Sequence, residues 1–374
     1  MAAPSIPNLL SLRGDGGRRG RNRRGRGDGH DAPPDDISAD DAVIQDTDTD
    51  AAVSRLSAVQ TGYLCDRYAE SFVSGPARRR RQPIINRGTY VRTRALDLII
   101  SSFLSHDAYA PGRKQVVSLG AGTDTRPFRL LQAHDVIYHE IDFEATCRRK
   151  YNTVSASPSL AKSLQDVETA EGGSWSARWC RGGDDDDDDD DGGGGGGEYH
   201  CHAVDLRHVD GLDTAMGSTI RTDLPTLMLS ECCLCYLSHE ESKRVVAYFE
   251  SRMDRLALAV YEPMPLRDPF GRMMLSNLGA RRIQMPSAEH YRDAQGQEAR
   301  LRDAGFHHVG HATVEKIWDH WVGRAEKARL DALEGLDELE EWRLLAAHYV
   351  VAWGTRKIRL EGLDGRGMAA LTAN

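Results

Sequence analysis

The sequence lacks any long uninterrupted apolar run, and no stretch approaches the roughly 18 residues that a membrane-spanning helix needs. Cysteine is scarce: seven cysteines, odd in number and scattered, occur in a chain of 374 residues. This usage predicts a reducing compartment rather than a disulfide framework.

The first twelve residues lack a basic segment ahead of an apolar run, so no secretory signal is expected. Six glycines within 14–27 would break the helix of a mitochondrial presequence. We expect a cytoplasmic protein.

Most of the net charge of −9 comes from the eight aspartates at 184–191, so no acidic surface field is inferred. Residues 1–48, rich in Arg and Gly and then in Asp, are predicted to be a disordered tail. The same holds for an Asp/Gly insertion at 155–198, and a C-terminal tail is expected at 361–374. One folded domain should therefore cover 49–360. The Arg-Gly segment leaves open an RNA-binding or regulatory protein as an interpretation of another class.

The clearest local pattern is a buried strand that runs into a glycine turn. Val116, Val117 and Leu119 are apolar, and Gly120-Ala121-Gly122 follows directly. Glycine lets the backbone turn tightly and approach a ligand, and strand, glycine turn and helix open a nucleotide-binding βαβ unit. Thr125 stands where the dinucleotide fingerprint needs its third glycine. The pattern therefore favours S-adenosylmethionine, with NAD as the competitor.

Later strands also end in carboxylates. Asp142 closes the second strand and suits a ribose hydroxyl pair, and Glu231 closes the strand at 224–231. Asp205 and Leu206 suit an adenine, because a carboxylate can accept from its amine while an apolar side chain packs on the ring. The histidines and cysteines near 200 and 232 have no second ligand pair of plausible spacing, so we predict no metal site. Closing strands are expected near 309–314 and 349–355, with a long charged helix at 323–347 between them.

Several separated blocks, in order, resemble the leucine carboxyl methyltransferases, which esterify the C-terminal leucine of the protein phosphatase 2A catalytic subunit. The blocks are RLSAV at 55–59, NRGTYVR at 86–92, LGAGTD at 119–124, EID at 140–142, DL at 205–206, SECCLCY at 230–236, YEP at 261–263 and LDELE at 336–340. The resemblance runs from about residue 50 to 354 and fails in the tail and the Asp/Gly insertion. It implies a transferase that uses S-adenosylmethionine. We expect a monomer that binds neither nucleic acid nor membrane, although the sequence itself does not determine the oligomeric state.

The resemblance also implies a role for each site residue. Arg92 would pair with the methionine carboxylate of the cofactor, and Gly120 would line the turn. Asp142 would hold the ribose, Asp205 and Leu206 the adenine, and Glu231 the methionine amino group. Arg55 stands where relatives commonly carry lysine, which keeps the charge but changes its geometry. Arg92 and Tyr236 are the candidates for contact with the reacting carboxylate, although Tyr236 could equally be a packed aromatic.

The chemistry agrees with this set of residues. A C-terminal carboxylate has a pKa of roughly 3.5, so it is already an anionic nucleophile at neutral pH. Neither a general base nor a metal is therefore required. Much of the rate enhancement of methyl transfer should come from in-line positioning of the carboxylate in a dry pocket.

We predict a class I methyltransferase fold: a Rossmann-like, seven-stranded, mostly parallel sheet with one antiparallel strand near the end. A helical N-terminal extension and the regions around Phe270 and Arg343 should build the substrate side. The alternative within this fold is methylation of a small molecule or of tRNA. The tRNA-modifying relatives carry a long C-terminal repeat domain, whereas this sequence ends at Asn374, which counts against that alternative.

Overall fold

One sheet of nine strands organises the part of the chain that the structure describes. The computed structural model describes residues 39–73, 80–105, 112–130, 134–179, 196–217 and 219–360. The strands are β1 (Lys114–Leu119), β2 (Val136–Asp142), β3 (Leu164–Thr169), β4 (Trp175–Trp179), β5 (Glu198–Ala203), β6 (Thr226–Glu231), β7 (Leu256–Pro263), β8 (His308–Thr313) and β9 (Tyr349–Arg356).

The helices precede, connect and cover these strands. They are α1 (Ala39–Thr61), α2 (Pro83–Ser105), α3 (Arg126–Leu130), α4 (Glu144–Ala156), α5 (Pro158–Ala161), α6 (Gly211–Met216), α7 (His239–Glu250), α8 (Pro269–Gly279), α9 (Pro286–His290), α10 (Ala294–Asp303), α11 (Val314–His320), α12 (Arg324–Leu333) and α13 (Leu339–Ala347). No helix in the described ranges is both long and apolar enough to cross a membrane.

The strand order is β3-β4-β5-β2-β1-β6-β7-β9-β8. Strands β5, β2, β1, β6 and β7 pair in parallel, and β9 lies antiparallel between β7 and β8. The predicted mostly parallel sheet with an antiparallel strand near the end is therefore confirmed. The carboxyl ends of β1, β2, β5 and β6 lie at one edge, where ligands bind in open α/β sheets.

The sheet has two strands more than the sequence predicts, β3 and β4, which fall within the predicted disordered insertion at 155–198. They extend the sheet beyond β5 by antiparallel pairing. Strand β3 is exposed along almost its whole length and has no buried apolar face that a sequence pattern could reveal. Strand β4 does carry such a pattern, because Trp175, Ala177 and Trp179 alternate along it and are buried. The aspartate run at 184–191 lies outside the described residues, as do residues 1–38 and the tail at 361–374.

Both faces of the central strands are buried. Val116 belongs to the core cluster that contains Ile99 and Ile100 of α2, whereas Val117 belongs to the cluster of Val245 and Phe249 of α7. Neighbouring residues of a strand point to opposite faces. The near-continuous apolar runs of these strands thus reflect helices on both sides of the sheet.

Two helices differ from their predicted boundaries. Helix α1 begins at Ala39, ten residues before the predicted domain start at 49, so residues 39–48 are helical rather than part of a disordered tail. The predicted helix at 323–347 is divided into α12 and α13. Gly335 lies in the break, and glycine is a poor residue for a helix interior. Helix α7 begins with a capping box: the Ser238 hydroxyl accepts from the Glu241 amide, and the Glu241 carboxylate accepts from the Ser238 amide.

Candidate functional site

The glycine turn lies at the base of a pocket of about 180 Å³, which we call the central pocket. Gly120 and Gly122 have φ values of +59° and +49°, which side-chain-bearing residues rarely adopt. A Cβ on Gly120 would lie 2.7 Å from Sγ of Cys233, and one on Gly122 would lie 2.3 Å from Oδ1 of Asp48. Only glycine therefore allows both neighbours to approach the turn so closely.

Asp142 extends from the end of β2 to the same turn. Its Oδ2 accepts a hydrogen bond from the Gly122 amide at 2.8 Å, and its Oδ1 accepts from the Phe143 amide at 2.7 Å. Burial raises the pKa of Asp142 to about 6, although these amide donors favour the ionised form. The carboxylate is fixed in position and can still accept hydrogen bonds from ligand hydroxyl groups.

Glu231, at the end of β6, is held between two guanidinium groups. Nε of Arg92 lies 2.8 Å from Oε1 of Glu231, and Nη1 of Arg126 donates to Oε2 at 2.7 Å. Arg126 also donates to Asp124 at 2.9 Å and to Asp97 at 2.8 Å. Burial opposes ionisation of Glu231, but the two arginines outweigh it and lower the pKa of its carboxyl. The result is a fixed carboxylate beside a fixed guanidinium, which suits the ammonium and carboxylate of an amino acid.

Helix α1 covers the central pocket and is bonded to the glycine turn. Oδ1 of Asp48 accepts from both the amide and the hydroxyl of Thr123 at 2.7 Å. Nη1 of Arg55 donates to the Thr123 carbonyl at 2.9 Å, and Nη2 lies 3.7 Å from Asp124. The guanidinium of Arg55 therefore takes part in holding the turn, in addition to lining the pocket.

Asp205 and Leu206 follow β5, which ends at Ala203. The Asp205 carboxylate is already engaged by Arg207, whose Nη2 lies 2.6 Å from Oδ2. Nη1 of Arg207 also pairs with Asp41 of α1 at 3.0 Å. Hydrogen bonds from Arg207 outweigh the partial burial of Asp205 and lower the pKa of its carboxyl. Leu206 supplies the apolar surface on this side of the pocket.

Tyr236 lies on the pocket wall after the sharp turn that follows β6. Cys232, in that turn, has a φ of +52°, an uncommon value for a residue with a side chain. The Tyr236 hydroxyl is buried, and burial raises the pKa of Tyr236 well above its ordinary value. The phenol therefore stays protonated at neutral pH and can act as a hydrogen-bond donor.

The structure brings all eight sequence-predicted site residues to this one pocket. They are Arg55, Arg92, Gly120, Asp142, Asp205, Leu206, Glu231 and Tyr236. Asp48, Arg126 and Arg207, which also hold the site together, were not predicted from the sequence. The sequence did not indicate the role of Arg126, because its burial is known only from the structure. Within the described ranges, no cluster of three His, Cys, Asp or Glu side chains could hold a metal ion.

The residues fit S-adenosylmethionine in several respects. The two glycines leave backbone accessible at the turn, and Asp142 offers an acceptor for hydroxyl groups. The Glu231–Arg92 pair offers one charge for each charged group of a methionine moiety. Leu206 offers an apolar contact for a base. The pocket thus combines the donor, acceptor and apolar groups that this cofactor needs.

Comparison with known proteins points to one family. The family model described as leucine carboxyl methyltransferase matches residues 36–250. The chain is 43% identical to leucine carboxyl methyltransferase 1 of Emericella nidulans, over 96% of this chain and 95% of that protein. It is 42% identical to the protein of the same name from Aspergillus fumigatus, over 95% and 94%. It is 30% identical to tRNA wybutosine-synthesizing protein 4 of Homo sapiens, over 84% of this chain but only 44% of that protein.

Proposed function

This chain belongs to the leucine carboxyl methyltransferase family, and from that premise we propose that its substrate is the C-terminal leucine of the protein phosphatase 2A catalytic subunit. The reaction of the family is S-adenosylmethionine-dependent methylation of a leucine carboxyl group. The observation that supports the proposal most strongly is the fixed Glu231–Arg92 pair beside the glycine turn. The cytoplasmic location and the monomeric state stay predictions from the sequence.

We assign the cofactor contacts as follows. Arg92, anchored through Nε to Glu231, would hold the methionine carboxylate through its terminal nitrogens, and Glu231 would accept from the ammonium group. Asp142 would accept hydrogen bonds from the ribose hydroxyls. Leu206 would pack on the adenine ring. Asp205 would accept from the adenine amine, with Arg207 fixing the orientation of its carboxylate.

The bound cofactor supplies an electrophilic methyl group on a positively charged sulfur. The protein's residues then have two tasks: to exclude water and to orient the substrate carboxylate. Helix α1 covers the pocket through Asp48 and Arg55, which separates the site from solvent. Tyr236 would donate a hydrogen bond to one oxygen of the substrate carboxylate, leaving the other oxygen to attack in line. Because the nucleophile is already anionic, no side chain has to remove a proton.

The test is methyl transfer from labelled S-adenosylmethionine to the purified phosphatase catalytic subunit, with and without its terminal leucine. We expect base-labile label that disappears when the leucine is deleted. Arg92→Ala should lower transfer by more than about 100-fold, because a bidentate charged contact is lost. Arg244→Ala, an exposed change on α7, serves as the matched control and should leave transfer unchanged.

A second set of acceptors separates the substrate assignment from the fold. The partial match to the wybutosine-synthesizing protein makes tRNA the other acceptor to include. Label on tRNA and none on the phosphatase would overturn the proposed substrate while leaving the cofactor assignment in place. If the wild-type protein does not bind S-adenosylmethionine, both the substrate assignment and the cofactor assignment are overturned.

A further inference from the structure

A second cavity, of about 240 Å³, lies away from the central pocket and shares none of its lining residues. Helix α2 separates the two spaces: Arg92 lines the central pocket, whereas Thr93 and Asp97 line the second cavity. The other walls come from the loop after α1, from α3 and from α12, through Tyr63, Asp66, Arg129 and Arg329. The proposed methyl transfer uses none of these residues.

Each carboxylate on the wall of the second cavity already accepts hydrogen bonds through both of its oxygens. Asp97 accepts from Nε of Arg126 at 2.8 Å and from both terminal nitrogens of Arg129 at 3.1 and 3.2 Å. Glu326 accepts from Arg329 through both oxygens, at 2.7 Å each. The two oxygens of Asp66 are taken by the Tyr68 amide and the Thr125 hydroxyl. These carboxylates therefore have little capacity left to bind a cation.

Donor groups, by contrast, remain available. Thr93 is only 6% exposed, and its hydroxyl has no hydrogen-bond partner in the structure. Nε of Arg129 is likewise buried and unpaired, although its terminal nitrogens bind Asp97. A buried donor without an acceptor costs free energy, which a ligand acceptor would recover.

We propose that the second cavity binds a small free oxyanion of the size of phosphate, held by the Thr93 hydroxyl and Nε of Arg129. The surplus of donors over acceptors selects an acceptor-rich ligand. The wall carries three carboxylates and three arginines, so the unpaired donors, and not a net positive charge, select the ligand. The cavity has room for a tetrahedral anion together with bridging water. The substrate carboxylate is not this ligand, because it must reach the central pocket on the other side of α2.

The second cavity is connected to the central pocket through Asp97. Asp97 binds both Arg129, on the wall of the second cavity, and Arg126, which holds Glu231. An anion on Nε of Arg129 leaves the terminal nitrogens of Arg129 on Asp97, so its charge acts on Arg126 through this shared carboxylate. Binding in the two spaces should then be linked, and any such linkage must be reciprocal.

The experiment is calorimetric titration of the full-length protein with inorganic phosphate at constant ionic strength, with the central pocket saturated by S-adenosylhomocysteine. We expect one phosphate per chain. Thr93→Val, which removes the hydroxyl and keeps the shape, should weaken phosphate binding about 5- to 10-fold. Thr93→Ser, which keeps the hydroxyl, should bind phosphate about as tightly as the wild type. Arg129→Gln should weaken it by about 10-fold or more, because a charged donor is lost.

The control variant is Arg302→Gln, an exposed arginine that pairs with Glu298 far along the chain, and its phosphate affinity should equal that of the wild type. Absence of saturable phosphate binding in the wild-type protein overturns the proposal. So does phosphate binding that weakens without limit as the S-adenosylhomocysteine concentration rises, because such competition places the phosphate in the central pocket, whereas linkage between two sites reaches a limit. Unchanged affinity in Thr93→Val and Arg129→Gln overturns it as well. Circular dichroism of each variant shows whether a loss of binding reflects unfolding.

Discussion

Arg126 holds the carboxylates of the site in place from behind the pocket wall. Burial disfavours its charge, but the carboxylates of Asp124, Glu231 and Asp97 outweigh burial and raise the pKa of this arginine well above its ordinary value. The sequence shows which residues end the strands, and so it predicts Glu231 and Asp142. It does not show which cation balances them, because Arg126 meets Glu231 across 105 residues of chain.

Asp142 should make cofactor binding depend on pH. Burial raises the pKa of Asp142 to about 6, and only the ionised carboxylate accepts from both ribose hydroxyls. We expect the affinity for S-adenosylmethionine to fall about fourfold between pH 7.5 and 5.5, in proportion to the ionised fraction. Asp142→Asn should bind more weakly and lose this dependence. Calorimetry at both pH values measures it, and an equal dependence in the variant would contradict the assignment.

At the scale of elements, helix α1 shows the limit of sequence patterns. Its first ten residues contain four aspartates and few large apolar side chains, so the composition indicates disorder. The helix is stabilised instead by distant partners: Asp41 pairs with Arg207, and Asp48 binds Thr123. Such contacts join residues far apart in the chain, and tertiary contacts of this kind override local propensity. The same helix could be predicted from about residue 51 onward, where apolar residues recur at helical spacing.

Asp48 should control how firmly α1 closes the central pocket. Asp48→Ala removes two hydrogen bonds from a carboxylate to Thr123. We expect dissociation of S-adenosylmethionine to become about 10-fold faster. Amides of 39–50 should also exchange faster with deuterium. Asp46→Ala is the matched control, because Asp46 is exposed on the same helix. Equal dissociation rates for the two variants would show that α1 does not retain the cofactor through this contact.

At the scale of the whole molecule, the parallel sheet could be predicted because its strands are buried on both faces. Strands β1, β6 and β7 are buried along almost their whole length, are rich in apolar residues and end at the ligand edge. Strand β3 could not be predicted, because it continues the sheet at its exposed edge with almost no buried side chain, whereas β4 buries Trp175 and Trp179 in the core. The contact between His139 and His202 could not be predicted from the sequence either. They lie on neighbouring strands and become partners only through the register of β2 with β5.

These two buried histidines should make the fold less stable in acid. Nδ1 of His139 lies 3.0 Å from Nε2 of His202, whose Nδ1 lies 3.0 Å from the Ala215 carbonyl. Burial lowers the pKa of His202 to about 4 and that of His139 well below its ordinary value. The unfolded chain then binds protons below pH 6.5 that the folded chain does not. The free energy of unfolding therefore falls as the pH decreases from 6.5 towards 4, by about 1 kcal/mol per histidine between pH 7 and 5.5.

Urea unfolding at pH 7 and 5.5 tests this expectation. The double variant His139→Gln, His202→Gln should be less stable at pH 7, because two packed rings are lost, but its free energy of unfolding should fall less on acidification. The difference between variant and wild type isolates the histidines, since all other titrating groups contribute to both proteins. His307→Gln, an exposed histidine, should retain the wild-type dependence. If the double variant shows the full wild-type loss, the acid sensitivity arises elsewhere and His139 and His202 are not kept neutral by the fold.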